Sequence, residues 1–303
     1  MAAGEDSAVL RVERLTKRFG DVVAVDDLSF TVGRNTVTGF LGPNGAGKTT
    51  TLRVLLGLAA PSAGSATVLG VPYRRLADAP RRVGAVLEVT DFNPGRTGRD
   101  HLRTLALAGG IGVQRVDEVL SLVELSAAAR KRVKGYSLGM RQRLGLAAAL
   151  LGEPEVLLLD EPANGLDPEG VRWLRDFLRE FVRDGRTVFV SSHVLAEVAQ
   201  TVDRVVIINK GRLVVATSLP ELTRGSTQTV RVRTPDVTRL QEVLVRAGLD
   251  ATPLGDGGLS IARTTSARVG ELAAAGGIVL HELIGEDASL EEAFLSITRG
   301  EEE

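Results

Sequence analysis

The chain of 303 residues contains 37 lysine and arginine residues against 38 aspartate and glutamate residues, and it contains no cysteine. This length suggests two domains, each large enough to bury a core of its own. The balanced charge excludes a strongly basic nucleic-acid-binding protein, so no nucleic-acid partner is expected, and the lack of cysteine excludes disulfide frameworks and cysteine-ligated metal centres.

The sequence predicts no membrane-spanning segment. No apolar run approaches the roughly 20 residues that a spanning helix needs, and the acidic first residues lack the apolar core of a signal peptide. If the protein works at a membrane, we expect another chain to cross it.

The first part of the chain alternates short strands with a glycine-rich loop. VLRVERL at 9–15 and LSFTV at 28–32 are predicted strands, separated by a turn around Gly20 and Asp21. TVTGFLG at 36–42 is a β-rich apolar run that leads into a glycine-dense loop, and the TTTLRVLLGL segment after it has helical spacing. The pattern therefore predicts a strand, a loop and a helix in succession.

A helical segment and two further strands follow. Helical periodicity over 95–150 predicts a helical subdomain of about 92–150 within a domain of residues 1–225. VLLLD at 156–160 and TVFVSS at 187–192 are typical of buried strands, and the amphipathic segment between them predicts a helix that ends at Gly185. This order favours a largely parallel sheet and the α/β fold class.

The last quarter of the sequence predicts a small accessory or regulatory α+β domain over 226–303. A hairpin at 204–218, turning at Lys210 and Gly211, precedes it. Strands and helices then alternate as βαββαβ, with the last strand at GIVLHEL (277–283) and a final helix at SLEEAFLSITR (289–299). This order is the split βαβ plan of ferredoxin-like domains.

The glycine-dense loop matches the G-x-x-x-x-G-K-[ST] pattern of a phosphate-binding P-loop. Backbone N–H groups of such a loop and the following helix N-terminus bind phosphate oxygens, Lys48 reaches the β- and γ-phosphates, and Thr49 offers a hydroxyl to Mg²⁺. The predicted nucleotide-binding residues are Gly42, Pro43, Asn44, Gly45, Ala46, Gly47, Lys48, Thr49 and Thr50.

Two adjacent carboxylates end the VLLLD strand. A P-loop protein needs a carboxylate on a neighbouring strand for Mg²⁺, and Asp160 is placed to supply it. Adjacent residues at a strand end point in different directions, so Glu161 can face the attacking water while Asp160 faces the metal. We therefore predict that Asp160 binds Mg²⁺ and that Glu161 is catalytic.

Tyr136-Ser137-Leu138-Gly139-Met140-Arg141-Gln142-Arg143 resembles the signature motif of ABC ATPases, in a variant typical of antibiotic exporters. The usual motif has glycine where Leu138 stands and glutamine where Met140 stands. The resemblance implies a P-loop NTPase fold of the ABC type and a homodimer that closes over ATP. In it, Ser137, Gly139 and Met140 would contact the nucleotide held by the other protomer.

The same resemblance implies roles for four more residues. Asp167, in the Gly165-Leu166-Asp167 segment, corresponds to the loop that touches the partner subunit, and His193 corresponds to a catalytic histidine on the γ-phosphate. Phe19 stands where the family places an aromatic ring on adenine. Glu88 occupies the position of the family's glutamine loop, where it is either a metal ligand or a solvated strand-end residue.

These motifs together imply an ATPase subunit of an ABC transporter that uses ATP and Mg²⁺. It would be cytoplasmic, bound to the inner face of the plasma membrane through an integral-membrane permease subunit, and would power export of a drug, antibiotic or lipid-like compound. Two alternatives stay open, the ATPase subunit of an importer and an ABC ATPase without a transport role.

Overall fold

The computed structural model describes residues 8–87, 92–194, 200–224, 229–255 and 258–286. Contacts between Cα atoms divide the chain into two compact units, Met1–Ser218 and Leu219–Glu303. This division falls slightly before the sequence-based boundary after residue 225. Within the described ranges, no helix has both the length and the apolar character that a bilayer-spanning segment needs.

The first unit contains two sheets with helices around them. Its strands are β1 (Ala8–Phe19), β2 (Val22–Gly33), β3 (Val37–Leu41), β4 (Ala63–Val68), β5 (Val83–Val86), β6 (Val156–Leu159), β7 (Thr187–Ser192), β8 (Arg204–Asn209) and β9 (Arg212–Ser218). Its α-helices are α1 (Lys48–Leu55), α2 (Ala79–Arg82), α3 (Gly98–Ala108), α4 (Arg115–Leu122), α5 (Leu138–Leu150) and α6 (Pro168–Arg183).

The larger sheet has the order β5-β6-β7-β3-β8-β9, and all its pairings are parallel except β8 with β9. Every residue of β3, β6 and β7 is buried, which explains why these segments are nearly continuous apolar runs. An antiparallel sheet of order β2-β1-β4 completes the unit. Phe30 joins the two sheets, since its ring lies 5.5 Å from that of Phe40 and 5.6 Å from that of Phe189.

The order of the large sheet decides where the functional residues meet. Strands β6, β7 and β3 are neighbours, although they come from distant parts of the sequence. Because they are parallel, their carboxyl ends lie at one edge of the sheet, and open α/β sheets bind ligands at that edge. The segments that follow them begin at Gly42, Asp160 and His193.

The helical periodicity of 95–150 corresponds to α3, α4 and α5. Side chains cap two of these helices: Thr97 accepts a hydrogen bond from Asp100 N at 3.1 Å, and Ser137 accepts one from Met140 N at 3.2 Å. Each cap satisfies a backbone N–H that would otherwise lack a partner in the first turn. The caps thus fix the residues at which α3 and α5 begin.

The second unit has a four-stranded antiparallel sheet. It contains α7 (Leu219–Arg224), β10 (Thr229–Arg233), α8 (Val237–Arg246), β11 (Ala251–Pro253), β12 (Gly258–Ala262), α9 (Ser266–Ala275) and β13 (Glu282–Glu286). The sheet order is β11-β12-β10-β13, the arrangement of a split βαβ unit. Apolar residues of α8 and α9, among them Leu240, Leu244 and Val269, pack with strand residues in its core.

Within the second unit, one predicted strand begins later than the sequence pattern indicates. The strand predicted at GIVLHEL begins only at Glu282, after Ile278 has joined the core outside the sheet. Ile278 N donates a hydrogen bond to Ala273 O, which ties this residue to the end of α9 instead of to a neighbouring strand. The helix predicted at SLEEAFLSITR lies outside the described residues.

Candidate functional site

A cavity of about 340 Å³ lies at the carboxyl edge of the large sheet. The loop after β3, the start of α1 and the segments after β6 and β7 form it. The described residues that line it are Ala24, Asn44, Gly45, Ala46, Gly47, Lys48, Thr49, Thr50, Glu161, Asn164 and His193. The P-loop and the three residues predicted to be catalytic, Lys48, Glu161 and His193, therefore face one space.

Two glycines of the loop are required by close packing. A Cβ atom on Gly42 would lie well inside contact distance of the carbonyl oxygen of Ile208, on β8. A Cβ atom on Gly47 would lie 2.5 Å from Ala24 O, and Gly47 also has a φ of 104°, which side chains rarely adopt. The loop can follow this path only with glycine at both positions, and the path delivers the chain to the N-terminus of α1. That end of a helix attracts anions.

Lys48 lies across the mouth of the loop that it follows. Its Nζ donates hydrogen bonds to Gly42 O at 2.7 Å and to Pro43 O at 3.3 Å, and it lies 3.5 Å from Glu161 Oε1. The side chain is 7% exposed. A buried ammonium group held at the centre of a loop that favours anions is suited to bind phosphate oxygens.

Asp160 is almost completely buried, and both of its carboxylate oxygens have partners. Thr49 Oγ1 donates to Oδ2 at 2.6 Å, and Ser191 Oγ donates to Oδ1 at 2.5 Å. The hydroxyl of Thr49 and the carboxylate of Asp160 are oxygen ligands of the kind that Mg²⁺ prefers. The structure brings these two predicted metal ligands together across 111 positions of sequence.

Glu161 lies between two basic side chains. Its Oε2 atom is 2.9 Å from His193 Nδ1, and its Oε1 atom faces Lys48. The backbone of Glu161 is left-handed, with a φ of 48°, which is costly for a residue that has a Cβ atom. Strained residues of this kind cluster at functional sites. A buried carboxylate held beside a cavity and a histidine is suited to accept a proton from water.

The signature segment lies outside this cavity in the same chain. Ser137 is exposed and caps α5, while Gly139 and Met140 are half-buried in its first turn. The preceding Tyr136 is buried, its hydroxyl donates to Ala128 O at 2.8 Å, and burial raises the pKa of that hydroxyl. The buried tyrosine therefore anchors the start of α5 to the protein interior, while Ser137 stays exposed to solvent.

Leu138, which replaces the usual glycine, packs against Gly165. A Cβ atom on Gly165 would overlap the Leu138 side chain, so the larger residue at the start of α5 is matched by glycine in the segment before α6. Gln142 Nε2 also donates to Asn164 O at 3.2 Å. Asp167 accepts a hydrogen bond from Gly170 N at 2.8 Å and caps α6. The signature helix and the segment before α6 thus contact each other directly.

The predicted roles of Phe19 and Glu88 are not tested by the described cavity. Phe19 ends β1 with its side chain 52% exposed, it is absent from the described lining residues, and Lys17 Nζ lies 4.7 Å from its ring centroid. Its stacking on adenine stays a prediction. Glu88 lies outside the described residues, so its role as a metal ligand also stays a prediction.

Three residues of this site were not predicted from the sequence. Ala24 and Asn164 line the cavity, and Ser191 joins Asp160 to the backbone of Glu161. Ala24 carries no signal in the sequence, because an alanine in a strand has no distinctive chemistry. Ser191 does carry one, since it is a hydroxyl near the end of an apolar strand that precedes His193.

Comparisons with known proteins agree with this geometry. A family model described as ABC transporter matches residues 25–164, and a model described as a domain of unknown function matches residues 228–291. The chain is 41% identical over 217 residues to the bacitracin transport ATP-binding protein BcrA of Enterococcus faecalis, covering 71% of this chain and 70% of the relative.

Two further relatives extend the comparison. The daunorubicin resistance ATP-binding protein DrrA3 of Streptomyces coeruleorubidus is 41% identical over 222 residues, covering 72% of this chain and 70% of the relative. The solved structure of an ATP-binding subunit of an ABC transporter superposes with a TM-score of 0.65 and 28% identity, covering 71% of this chain and 92% of that one. The chain belongs to the ATP-binding subunits of ABC transporters, and its first unit is an ABC ATPase domain of the P-loop NTPase fold.

Proposed function

We propose that this ATPase subunit hydrolyses MgATP at the described cavity and powers the export of a drug, antibiotic or lipid-like compound through a separate permease. The observation that carries the catalytic part is the position of Glu161. Its carboxylate is buried between Lys48 and His193 at the wall of the P-loop cavity. No other carboxylate among the described residues lines that cavity.

Different residues would bind the phosphates and activate the attacking water. The loop from Gly42 to Thr50 and Lys48 bind the phosphates, and His193 contacts the γ-phosphate from the end of β7. Glu161 orients the attacking water and accepts its proton. Catalysis then consists mainly of positioning and charge stabilisation around the transferred phosphoryl group.

Magnesium fits the donor atoms that the chain offers. Thr49 Oγ1 and Asp160 Oδ2 are 2.6 Å apart and are hard oxygen donors, and nucleotide phosphates complete such sites. No cluster of three or more histidine, cysteine or acidic side chains occurs in the described ranges, which agrees with a site that depends on nucleotide oxygens. When bound, Mg²⁺ neutralises charge on the β- and γ-phosphates.

A homodimer would complete each site. Ser137, Gly139 and Met140 form a helix N-terminus outside their own cavity, and the exposed cap of this helix supports contact with a nucleotide bound by a second copy. Asp167 begins α6 beside the same segment and would touch the partner. Two chains arranged head to tail would then enclose two MgATP molecules.

Export is supported by the relatives. BcrA is named for bacitracin transport and DrrA3 for daunorubicin resistance. An integral-membrane permease subunit would form the path for the compound and would hold this chain at the cytoplasmic face of the plasma membrane.

Glu161→Gln tests the catalytic proposal. The substitution keeps the shape of the side chain but removes its ability to accept a proton, so we expect ATP turnover to fall at least about 100-fold, in line with the typical contribution of a general base. Nucleotide-bound dimers should accumulate, measured by size-exclusion chromatography with ATP and Mg²⁺. Turnover within a factor of two of the wild type would overturn the assigned role of Glu161.

The direction of transport needs a separate experiment. We expect the chain to co-purify with a polytopic membrane protein, and cells that express both should export a labelled drug in a manner that requires Lys48. Co-purification with an extracellular substrate-binding protein and uptake of its ligand would instead identify an importer.

A further inference from the structure

Ser191 lies at the centre of the catalytic edge, in a position that the proposed mechanism does not use. It belongs to β7, which lies between β6 and β3 in the large sheet, so it has a neighbouring strand on each side. Its side chain is completely buried. A buried hydroxyl has to find partners within the protein, because an unsatisfied one is costly.

The two hydrogen bonds of Ser191 have fixed directions. Its oxygen accepts from the backbone N–H of Glu161 at 2.9 Å, and its only proton is donated to Asp160 Oδ1 at 2.5 Å. A carboxylate cannot donate and an amide N–H cannot accept, so no other assignment satisfies all three groups. One hydroxyl therefore connects the carboxylate of Asp160 to the backbone of Glu161.

The bond to Asp160 fixes the direction of its carboxylate. Thr49 holds Oδ2 and Ser191 holds Oδ1, so the carboxylate cannot rotate about its Cβ–Cγ bond without breaking one of the two contacts. The oxygen next to Thr49 is the one that faces the P-loop. Residues that orient a metal ligand in this way raise the affinity of the site for the metal, because the ligand is already ordered and binding costs less conformational entropy.

The bond to Glu161 holds a strained residue in place. The left-handed φ of Glu161 persists only if surrounding groups determine it. The backbone N–H of Glu161 donates a hydrogen bond to the Ser191 hydroxyl. The Oε2 atom of Glu161 lies within hydrogen-bond distance of both Nδ1 and the backbone N–H of His193. The backbone and the side chain of Glu161 are thus tied to the end of the same strand.

We propose that Ser191 is a positioning residue that directs the Asp160 carboxylate toward Mg²⁺ and holds Glu161 in its strained conformation. This inference rests on the proposed function, in which Asp160 binds the metal and Glu161 orients water. Ser191 touches neither the nucleotide cavity nor the reacting atoms. It acts through Asp160 and Glu161, and its effect should appear in the binding of Mg²⁺ as well as in turnover.

The test compares Ser191→Ala with Ser191→Thr, which retains the hydroxyl, and with Thr187→Val. Thr187 is a suitable control because it is also buried, on the same strand, and its hydroxyl accepts a hydrogen bond from Asn35 N at the opposite end. Each protein would be titrated with a fluorescent ATP analogue, once in excess Mg²⁺ and once in EDTA. Urea unfolding would be measured alongside to compare stabilities.

We expect the gain in analogue affinity caused by Mg²⁺ to fall about 10-fold in Ser191→Ala, a typical cost of losing a group that orients a metal ligand. Its affinity in EDTA should stay within a factor of two, and its kcat should fall more than its KM rises. Ser191→Thr should recover most of the Mg²⁺-dependent gain. Thr187→Val should lose stability but keep the full gain.

Two results would overturn the positioning role. One is an unchanged Mg²⁺-dependent gain in Ser191→Ala. The other is an equal loss of affinity with Mg²⁺ and in EDTA, which would mean that the serine only supports the fold. A wild-type chain whose affinity does not respond to Mg²⁺ would instead overturn the proposed metal site, and the inference with it.

Discussion

The ion pair between Lys48 and Glu161 makes a quantitative prediction about the nucleotide-free protein. The two charged groups are 3.5 Å apart, with side chains that are 7% and 9% exposed. Lys48→Met would keep the apolar stem of the lysine but remove its charge, so that His193 would be the remaining side-chain partner of the buried Glu161 carboxylate. Glu161→Gln would leave the ammonium group with its two carbonyl acceptors, Gly42 O and Pro43 O.

The expected magnitudes follow from the distance and the burial. At an effective dielectric constant of about 20, unit charges at 3.5 Å attract by about 5 kcal/mol, before the cost of removing both from water is subtracted. Leaving one member of a buried pair uncompensated costs about 3–5 kcal/mol, so we expect Lys48→Met to destabilise the protein by about 3 kcal/mol. Glu161→Gln should cost about 1 kcal/mol, because the lysine retains other partners.

The double variant separates coupling from the individual losses. Since it contains no uncompensated charge, the double variant should lose at least about 1 kcal/mol less free energy of unfolding than the two single losses added together. The measurement is urea unfolding of nucleotide-free protein, with the four m-values required to agree. The coupling should persist at about 0.5 M salt, because buried pairs are weakly screened. Single effects that add to within about 0.5 kcal/mol would refute the coupling.

Two further predictions concern packing and pH. Gly42→Ala should abolish ATP binding, measured by calorimetry, because its methyl group would overlap Ile208 O. Gly45→Ala would meet no neighbour within 4 Å, so it should lower the free energy of unfolding only by its left-handed strain, about 1–2 kcal/mol. Burial, and then the positive charge of Arg96, lower the pKa of His101 below its ordinary 6.5. The unfolded chain therefore binds the proton more tightly, and stability should fall as pH drops below 6.5. Between about pH 7.5 and 5.5, the urea midpoint of His101→Gln should fall by less than that of the wild type. Equal falls in the two proteins would contradict this effect of His101.

The sequence predicted those parts of the site that depend on local patterns. The P-loop could be recognised because its glycines, Lys48 and Thr49 are consecutive and stand between a strand and a helix. Asp160 could be placed because it ends an apolar run, and the parallel order of strands puts such ends at one edge. The helices of 98–150 also follow directly from the spacing of apolar residues.

The remaining features depend on contacts between distant residues. The ion pair of Lys48 with Glu161 joins segments more than 100 positions apart, and nothing near either residue signals it. Leu138 departs from the usual signature motif, and only its packing on Gly165 explains why the larger residue fits there. The predicted strand at GIVLHEL begins late because Ile278 packs into the core of the second unit, which periodicity alone does not reveal.

The neighbouring positions of β6, β7 and β3 also determine when the parts of the nucleotide site become available during synthesis. The hydrogen bond between Thr49 and Asp160 spans 111 positions, and Ser191 follows Asp160 by a further 31. A growing chain therefore lacks a complete nucleotide site until β7 has inserted between β6, the strand made just before it, and β3, which is made much earlier. Because a ligand stabilises only the conformations that bind it, ATP would favour the finished sheet over partly folded chains. Bound ATP would thus stabilise the first unit only after segments from three distant parts of the chain have come together.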